Sequence, residues 1–388
     1  MSSKAYPAAW ADDEATRAAA DRWQRRGLLT PAQQAAIDAV HPIRYYRPHH
    51  WIRLLLLIAT LFGAASGLGF LLLATESKLS PGVYATLVVL AAIALLEVIV
   101  RRSQHYRSGV DNALLYIAVV AWGCLAYELT NNALSLSFFS INWLLLMLAV
   151  LLAAMVRYAD PVVAAACFIA ALWLAALILM HSKLGRLLLP FGFMAIVGAL
   201  LLALRQLPTR TDYYYYRSAG LVLRALSLAV LYLAGNYLVV REGNAELLGG
   251  GGPSGQVALA PLFYLLTAVV PLVYIGLSLR RHDRLLLTMG LLTLAFSLFT
   301  LRYYRSLLPP EIAATLGGLA LLVGALAALR YLRTPRHGLT AEANKAIPPQ
   351  FNLESLIIAE TVHVPTAPVA GYEFGGGQSG GGGADGRF

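Results

Sequence analysis

Charge is scarce in this sequence: 13% of its 388 residues are Asp, Glu, Lys or Arg, where a soluble domain carries about 25%. That leaves too little polar surface to solvate a globule of this size and excludes a soluble fold. Cysteine is scarcer still. Cys124 and Cys167, the only two, lie inside apolar runs, which favours small packing residues over a disulfide or metal pair. Nothing matches GxxxxGK[ST] or HExxH, so neither a phosphate-cradling loop nor a zinc-protease helix is expected. The glycine run Gly249 to Gly255 follows an apolar run and lacks a strand–turn–helix setting, so it reads as a flexible turn. The eight histidines are scattered, and the adjacent His49 and His50 would stand about 100° apart on a helix, poorly placed as co-ligands. No metal, cofactor or catalytic residue is indicated. No N-terminal signal peptide is visible, since the first apolar run starts near Trp51.

What is present is oil. Hydrophobic residues make up 59% of the chain, in runs of about 20, long enough to cross a bilayer core of about 30 Å. The fold class is all-α: a polytopic transmembrane helix bundle. Ten spans are predicted, at about 51–74, 82–100, 110–129, 139–156, 161–180, 184–204, 218–240, 257–279, 285–301 and 311–329. They divide the chain into an N-terminal helical hairpin and linker (1–50), a transmembrane bundle (51–330) and a Gly/Pro-rich, disordered tail (331–388). With the N-terminus inside, 17 Lys and Arg flank the inner ends, from Arg44 to Lys345, against six outside. That bias predicts both termini cytoplasmic. It also accounts for the net charge of +10 without a nucleic-acid partner. Trp51, Tyr106, Trp143, Tyr303 and the run Tyr213 to Tyr216 fall near predicted span ends. An interfacial aromatic belt explains them; a sugar or nucleobase platform is the other reading of the Tyr run.

Ahead of the membrane stands "DDEATRAAADRWQRRGLLTPAQQAAIDAVHP". Asp12, Asp13 and Glu14 suit a helix N-terminus, Arg25 and Arg26 a C-terminus, and Gly27 a stop. Thr30, Pro31 and Gln33 form a capping-box pattern for a second helix ending near His41-Pro42. Trp23, Leu28, Leu29, Ile37 and Val40 make its apolar side. So small a hairpin buries little alone and is expected to pack on the membrane domain, on itself in a homo-oligomer, or on a partner protein.

The segment "RWQRRGLLTPAQQAAI" resembles the N-terminal signature of an uncharacterised family of bacterial multi-pass membrane proteins. Those open with a Trp, a Gly-Leu-(Ile/Leu)-Thr turn and a Gln/Ala-rich helix; Trp23, Gly27, Leu28, Leu29, Thr30, Gln33, Gln34 and Ile37 match here. The resemblance implies the bacterial cytoplasmic (inner) membrane and a domain of unknown function, with no activity to carry over. The glycine-rich end is similar to the tails of bacterial TPM-domain membrane proteins, although no TPM domain precedes it.

Ionisable residues within spans are the best candidates for function, because burying charge there is expensive. Glu97 and Arg224 both fall near the inner ends of their spans. They could pair in a gate or proton-linked pathway, or each could snorkel to the interface. Glu128 lies at the outer end of span three, beside Asn131 and Asn132. Asn142 and Asn236 could hydrogen-bond across helices. Gly63 and Gly67, in a GxxxG pattern, predict a close helix contact. Pro190 and Pro271 fall inside spans, where a kink could line a substrate site or be harmless.

The tail holds one apolar stretch, Asn352 to Val364, then Tyr372, Phe374 and a glycine run closed by Phe388. Such a composition cannot bury a core. Glycine would supply reach and the aromatics grip for docking, or the end is unselected. Three functions fit these features, in this order: a membrane scaffold docking partners through its cytoplasmic ends; a transporter or flippase for a small or lipid-linked substrate; a membrane-embedded lipid or glycan enzyme.

Overall fold

The computed structural model describes residues 4–134, 140–247 and 259–304, with isolated positions between 315 and 333. Among these residues every element is helical, apart from a single parallel bridge between Tyr46 and His105. Two short helices come first, α1 (Ala8–Arg25) and α2 (Pro31–Val40). The bundle follows: α3 (His50–Ala74), α4 (Pro81–Arg101), α5 (Val110–Leu134), α6 (Ile141–Tyr158), α7 (Pro161–Met180), α8 (Lys183–Leu204), α9 (Tyr213–Gly235), α10 (Tyr237–Leu247), α11 (Ala260–Arg281) and α12 (Arg284–Tyr304). Eight of them, α3 to α9 and α11, are long and apolar enough to cross a membrane, and α12 carries a shorter apolar stretch, Arg284–Thr300. The chain is thus read as an integral membrane protein. The tenth expected span, 311–329, lies outside the described residues except at scattered positions. So do Tyr372, Phe374 and Phe388.

Helix starts follow the capping chemistry. Thr30 and Gln33 close a reciprocal capping box on α2. Asp160 accepts from the backbone N–H groups of Val162 and Val163 at 2.8 and 3.0 Å, with Pro161 opening α7. Gly27, at φ +72°, follows the end of α1 as expected. Asp12 to Glu14 do not start α1, which begins upstream at Ala8 with no acid in its first turn. Their charges serve tertiary pairs instead: Asp13 meets His41 at 2.7 Å and Glu14 meets Arg47.

Among the described residues the GxxxG contact is not made. A Cβ on Gly63 or Gly67 would meet nothing within 4 Å. The close approach of α3 is instead at Gly109, ahead of α5, whose missing Cβ admits the backbone of Arg53 and Leu57. No residue of α3 is buried.

Both internal prolines sit in continuous helices. Pro271 has no N–H, which frees the Thr267 carbonyl one turn earlier. Ser297 of α12 donates its hydroxyl to that carbonyl at 2.8 Å, so the proline is accommodated by a neighbour.

The seventh span, expected unbroken over 218–240, breaks at Asn236, where α9 ends and α10 begins. The Asn236 Oδ1 accepts from Leu238 N and Val239 N at 3.0 and 3.3 Å, capping α10. Its Nδ2 donates to Tyr232 Oη at 2.9 Å and to Thr300 Oγ1 on α12 at 3.0 Å. The expected cross-helix role of Asn236 is therefore present, joined to a cap that no hydropathy pattern reveals. Asn142 is exposed.

Candidate functional site

The polar residues converge at one end of the bundle, where the N-terminal segment meets the turns between α4 and α5, α6 and α7, and α8 and α9. We call this the near end. Its foundation is Asp111, fully buried in the first turn of α5. The carboxylate accepts from the backbone N–H groups of Arg107, Ser108 and Gly109 at 2.8, 2.9 and 3.2 Å. The Ser108 hydroxyl donates to Oδ1 at 3.2 Å, and Tyr6 donates its hydroxyl to Oδ2 at 2.6 Å. Burial, reinforced by the Asp111 charge, holds the Tyr6 phenol well above its ordinary range. It therefore remains a donor at any physiological pH.

Around Tyr6 stands an aromatic box. Its ring centroid lies 5.1 Å from Tyr106 and 6.3 Å from Tyr158, both edge-on. Trp10 packs 5.9 Å from Tyr106 and 5.4 Å from Tyr45. Edge-to-face pairs of this kind add about 0.5–1.5 kcal/mol beyond the area they bury. Ala5 N donates to Arg157 O at 2.9 Å, and Tyr215 donates its hydroxyl to the same carbonyl. The N-terminal segment is therefore stitched into the bundle. Of the three sites open to the hairpin, the membrane domain is the one it occupies in this chain.

The Tyr run opening α9 is part of this joint rather than a uniform belt. Tyr215 is buried and Tyr214 exposed. Tyr216 donates to Val156 O at 2.8 Å, and the Lys4 ammonium lies over the Tyr215 and Tyr216 rings at 5.2 and 5.7 Å.

Asp212, just ahead of α9, pairs with Lys4 at 3.0 Å and with Arg210 at 2.9 Å. The Arg210 hydrogen bond, then Lys4, pulls its carboxyl down to about 2. A depressed acid contributes stability above its unfolded value, here 3.8, and loses that contribution as the pH falls toward the folded one. The melting-temperature gap between the unmodified chain and Asp212→Asn should therefore stay constant from about pH 5 to 8 and shrink only below about pH 4. A gap that changes between pH 6 and 8 would assign the titration to another group.

A second carboxylate ties two span starts together. Asp160 is buried. Besides capping α7 it accepts from Asn112 Nδ2 at 2.6 Å and Tyr116 Oη at 3.2 Å, both on α5. Arg53 of α3 reaches Asn112 Oδ1 at 3.3 Å. Neither Asp111 nor Asp160 stood out as a charge within a span, because each sits at a span's first turn.

The expected pairing of Glu97 with Arg224 is not what the structure has. Glu97 Oε1 takes Arg157 and, at 3.1 Å, Tyr158 Oη, while its Oε2 lies 2.9 Å from Arg101 Nε. Arg224 pairs with Asp283, in the turn between α11 and α12. Matched depth along the sequence could not say which helices are neighbours. Glu128 sits on α5 against the start of α4, where a Cβ on Gly82 would meet it at 3.7 Å. Cys124 and Cys167 are both free thiols, and Cys167 is buried. Among the described residues no group of three His, Cys, Asp or Glu could hold a metal ion.

The near end's carboxylates are held by fixed donors, and in the turn before α5 His105 Nδ1 meets the buried Ser108 hydroxyl at 2.8 Å, a hydroxyl that also reaches Asp111 Oδ1 at 3.2 Å. Compared with protein-family models, with curated proteins and with solved structures, the chain has no match.

Proposed function

We propose that this protein is a membrane scaffold whose N-terminal hairpin is a fixed platform for a protein partner, on the cytoplasmic side that the Lys/Arg bias favours. One observation carries the proposal. The hairpin is bound to the bundle through Tyr6 and Trp10, with Glu14 tied to Arg47 of the linker, yet it leaves Trp23, Leu28 and Val40 exposed at 49%, 67% and 74%. None of these lies in a span. Arg22, Arg25 and Arg26 neighbour Trp23 and Leu28 in the sequence. An exposed apolar patch rimmed by charge on a rigid support is the anatomy of a docking site.

The ten-span topology with both termini cytoplasmic is part of this proposal, as is a tail that tethers through Tyr372, Phe374 and Phe388. A homo-oligomer remains an expectation within it. The transport alternative draws support from the broken helix at Asn236. Against it, the polar groups at that break are spent on one another, and the hollow that reaches Glu97 opens along the bundle's flank.

The test is a photo-crosslinking residue at position 28 or 40 in the intact membrane. A discrete protein adduct is expected, about tenfold weaker with Trp23→Asp, which removes a buried-anchor contribution of typical size. Lipid adducts alone, or an adduct indifferent to Trp23→Asp, would end the proposal. Removing Gly371 to Phe388 should weaken the adduct while leaving the melting temperature unchanged.

A further inference from the structure

Two hollows meet at Arg157. One is a trough of 480 Å³ on the face of α5 between α4 and α6, with Leu96, Leu115, Ala118 and Ala154 in its floor. Those floor residues are buried, whereas Ile93 and Ala153 on its rims are exposed. All of them lie in spans, so the trough opens sideways into the lipid. Its only ionisable linings, Glu97, Arg157 and Tyr158, stand together at the near end. The other hollow, of 660 Å³, lies outside the spans at that end and is lined by Lys4, Ala5, Tyr6, Pro7, Ala8, Arg101 and Arg157.

The charges at the junction do not balance. Arg157 and Arg101 both bear on the single carboxylate of Glu97. Lys4 and Arg210 likewise share Asp212. The first group carries one surplus positive charge, while Asp12 also bears on Lys4 in the second. The result is an apolar slot that ends beside an electropositive pocket.

We propose that this composite site binds an anionic phospholipid, one acyl chain lying in the trough along α5 and the phosphate held by Arg157 and Arg101 with Lys4 at its edge. The arginines can give a phosphate paired N–H donors while still engaging Glu97. Glu97 then acts as a positioning residue that holds both guanidinium groups at the slot's mouth. The site is separate from the exposed patch of the hairpin, and its test does not depend on any protein partner.

Trp122 lines the trough and supplies the readout. The intact chain is placed in phosphatidylcholine vesicles containing a minor fraction of either brominated phosphatidylglycerol or brominated phosphatidylcholine. Quenching that vanishes in Trp122→Phe is scored. At equal bromolipid fraction, the anionic lipid should occupy the site about fivefold more strongly, the preference given by one cationic side chain at a membrane surface. Arg101→Gln, at an exposed helix end, should abolish the preference without unfolding the chain. Arg157→Gln should do the same if it folds. Inorganic phosphate should not relieve the quenching. Equal quenching by both bromolipids, an unchanged preference in Arg101→Gln, or relief by inorganic phosphate would each overturn the proposal.

Discussion

Replacing Asp111 with alanine should lower the melting temperature of the detergent-solubilised chain by about 6–12 °C and release the N-terminal segment to proteases. The carboxylate satisfies three backbone N–H groups and the Tyr6 hydroxyl in a place water does not reach. Each buried donor left without a partner costs about 1–3 kcal/mol, and some will find water in the vacated space, so a net loss of about 3 kcal/mol is expected. Tyr6→Phe removes one donor together with its need for an acceptor, so it should cost only about 1 kcal/mol. The two variants thus separate the N-terminal contact from the turn before α5. Equal losses would mean that the Tyr6 bond dominates and the backbone bonds are dispensable. No loss in Asp111→Ala would remove the joint as an organising centre.

Gly109→Ala should be at least as damaging, and the reason is purely steric. Gly109 has φ +100°, a region closed to side chains by contact with the backbone itself. Beyond that strain, the new methyl would strike the carbonyl oxygen of Arg53 and come within 3.2 Å of Leu57 N. Both obstacles are helix backbone and cannot rotate aside as a side chain would. A loss of about 3 kcal/mol or more follows, seen as failure to purify a monodisperse chain or as a melting temperature lower by about 6 °C or more. Gly63→Ala and Gly67→Ala supply the contrast. Both open onto empty space and should be neutral, or raise stability through helix propensity by up to about 1 kcal/mol each. If those two damage the monomer while Gly109→Ala does not, α3 docks through its GxxxG face and the crossing is misplaced.

The sequence announced its helices far better than its joints. Composition and run length gave the all-helical membrane class and the sites of α3 to α8, because hydropathy is a local property summed over each run. The cap of α2 was legible for the same reason: Thr30 with Gln33 is a local pattern. Span seven failed because Asn236 is one polar residue in an apolar run, and its cap is completed by Thr300 on another helix. The partners of Glu97 and Arg224 depend on which helices touch, so their ion pairs were not legible. The joint at the near end was hidden for a further reason. Tyr6, Asp111, Asp160 and Tyr215 each looked like an ordinary turn or interface residue. Only their convergence gives them a role, and no window along the chain contains it.

The Tyr6–Asp111 bond also sets a clock. Its partners are 105 residues apart, so at the usual pace of synthesis Tyr6 leaves the ribosome roughly 5–20 s before Asp111 does. The carbonyl of Arg157 and then Asp212 and Tyr215 come later still. Throughout that interval the N-terminal segment has no seat, and its aromatic side chains are available to chaperones or to the insertion machinery. Docking becomes complete only when α9 has been made. The segment is therefore a late-closing latch, first in the chain and among the last parts to settle, and its protection from protease during synthesis would report that the bundle's first seven spans have assembled.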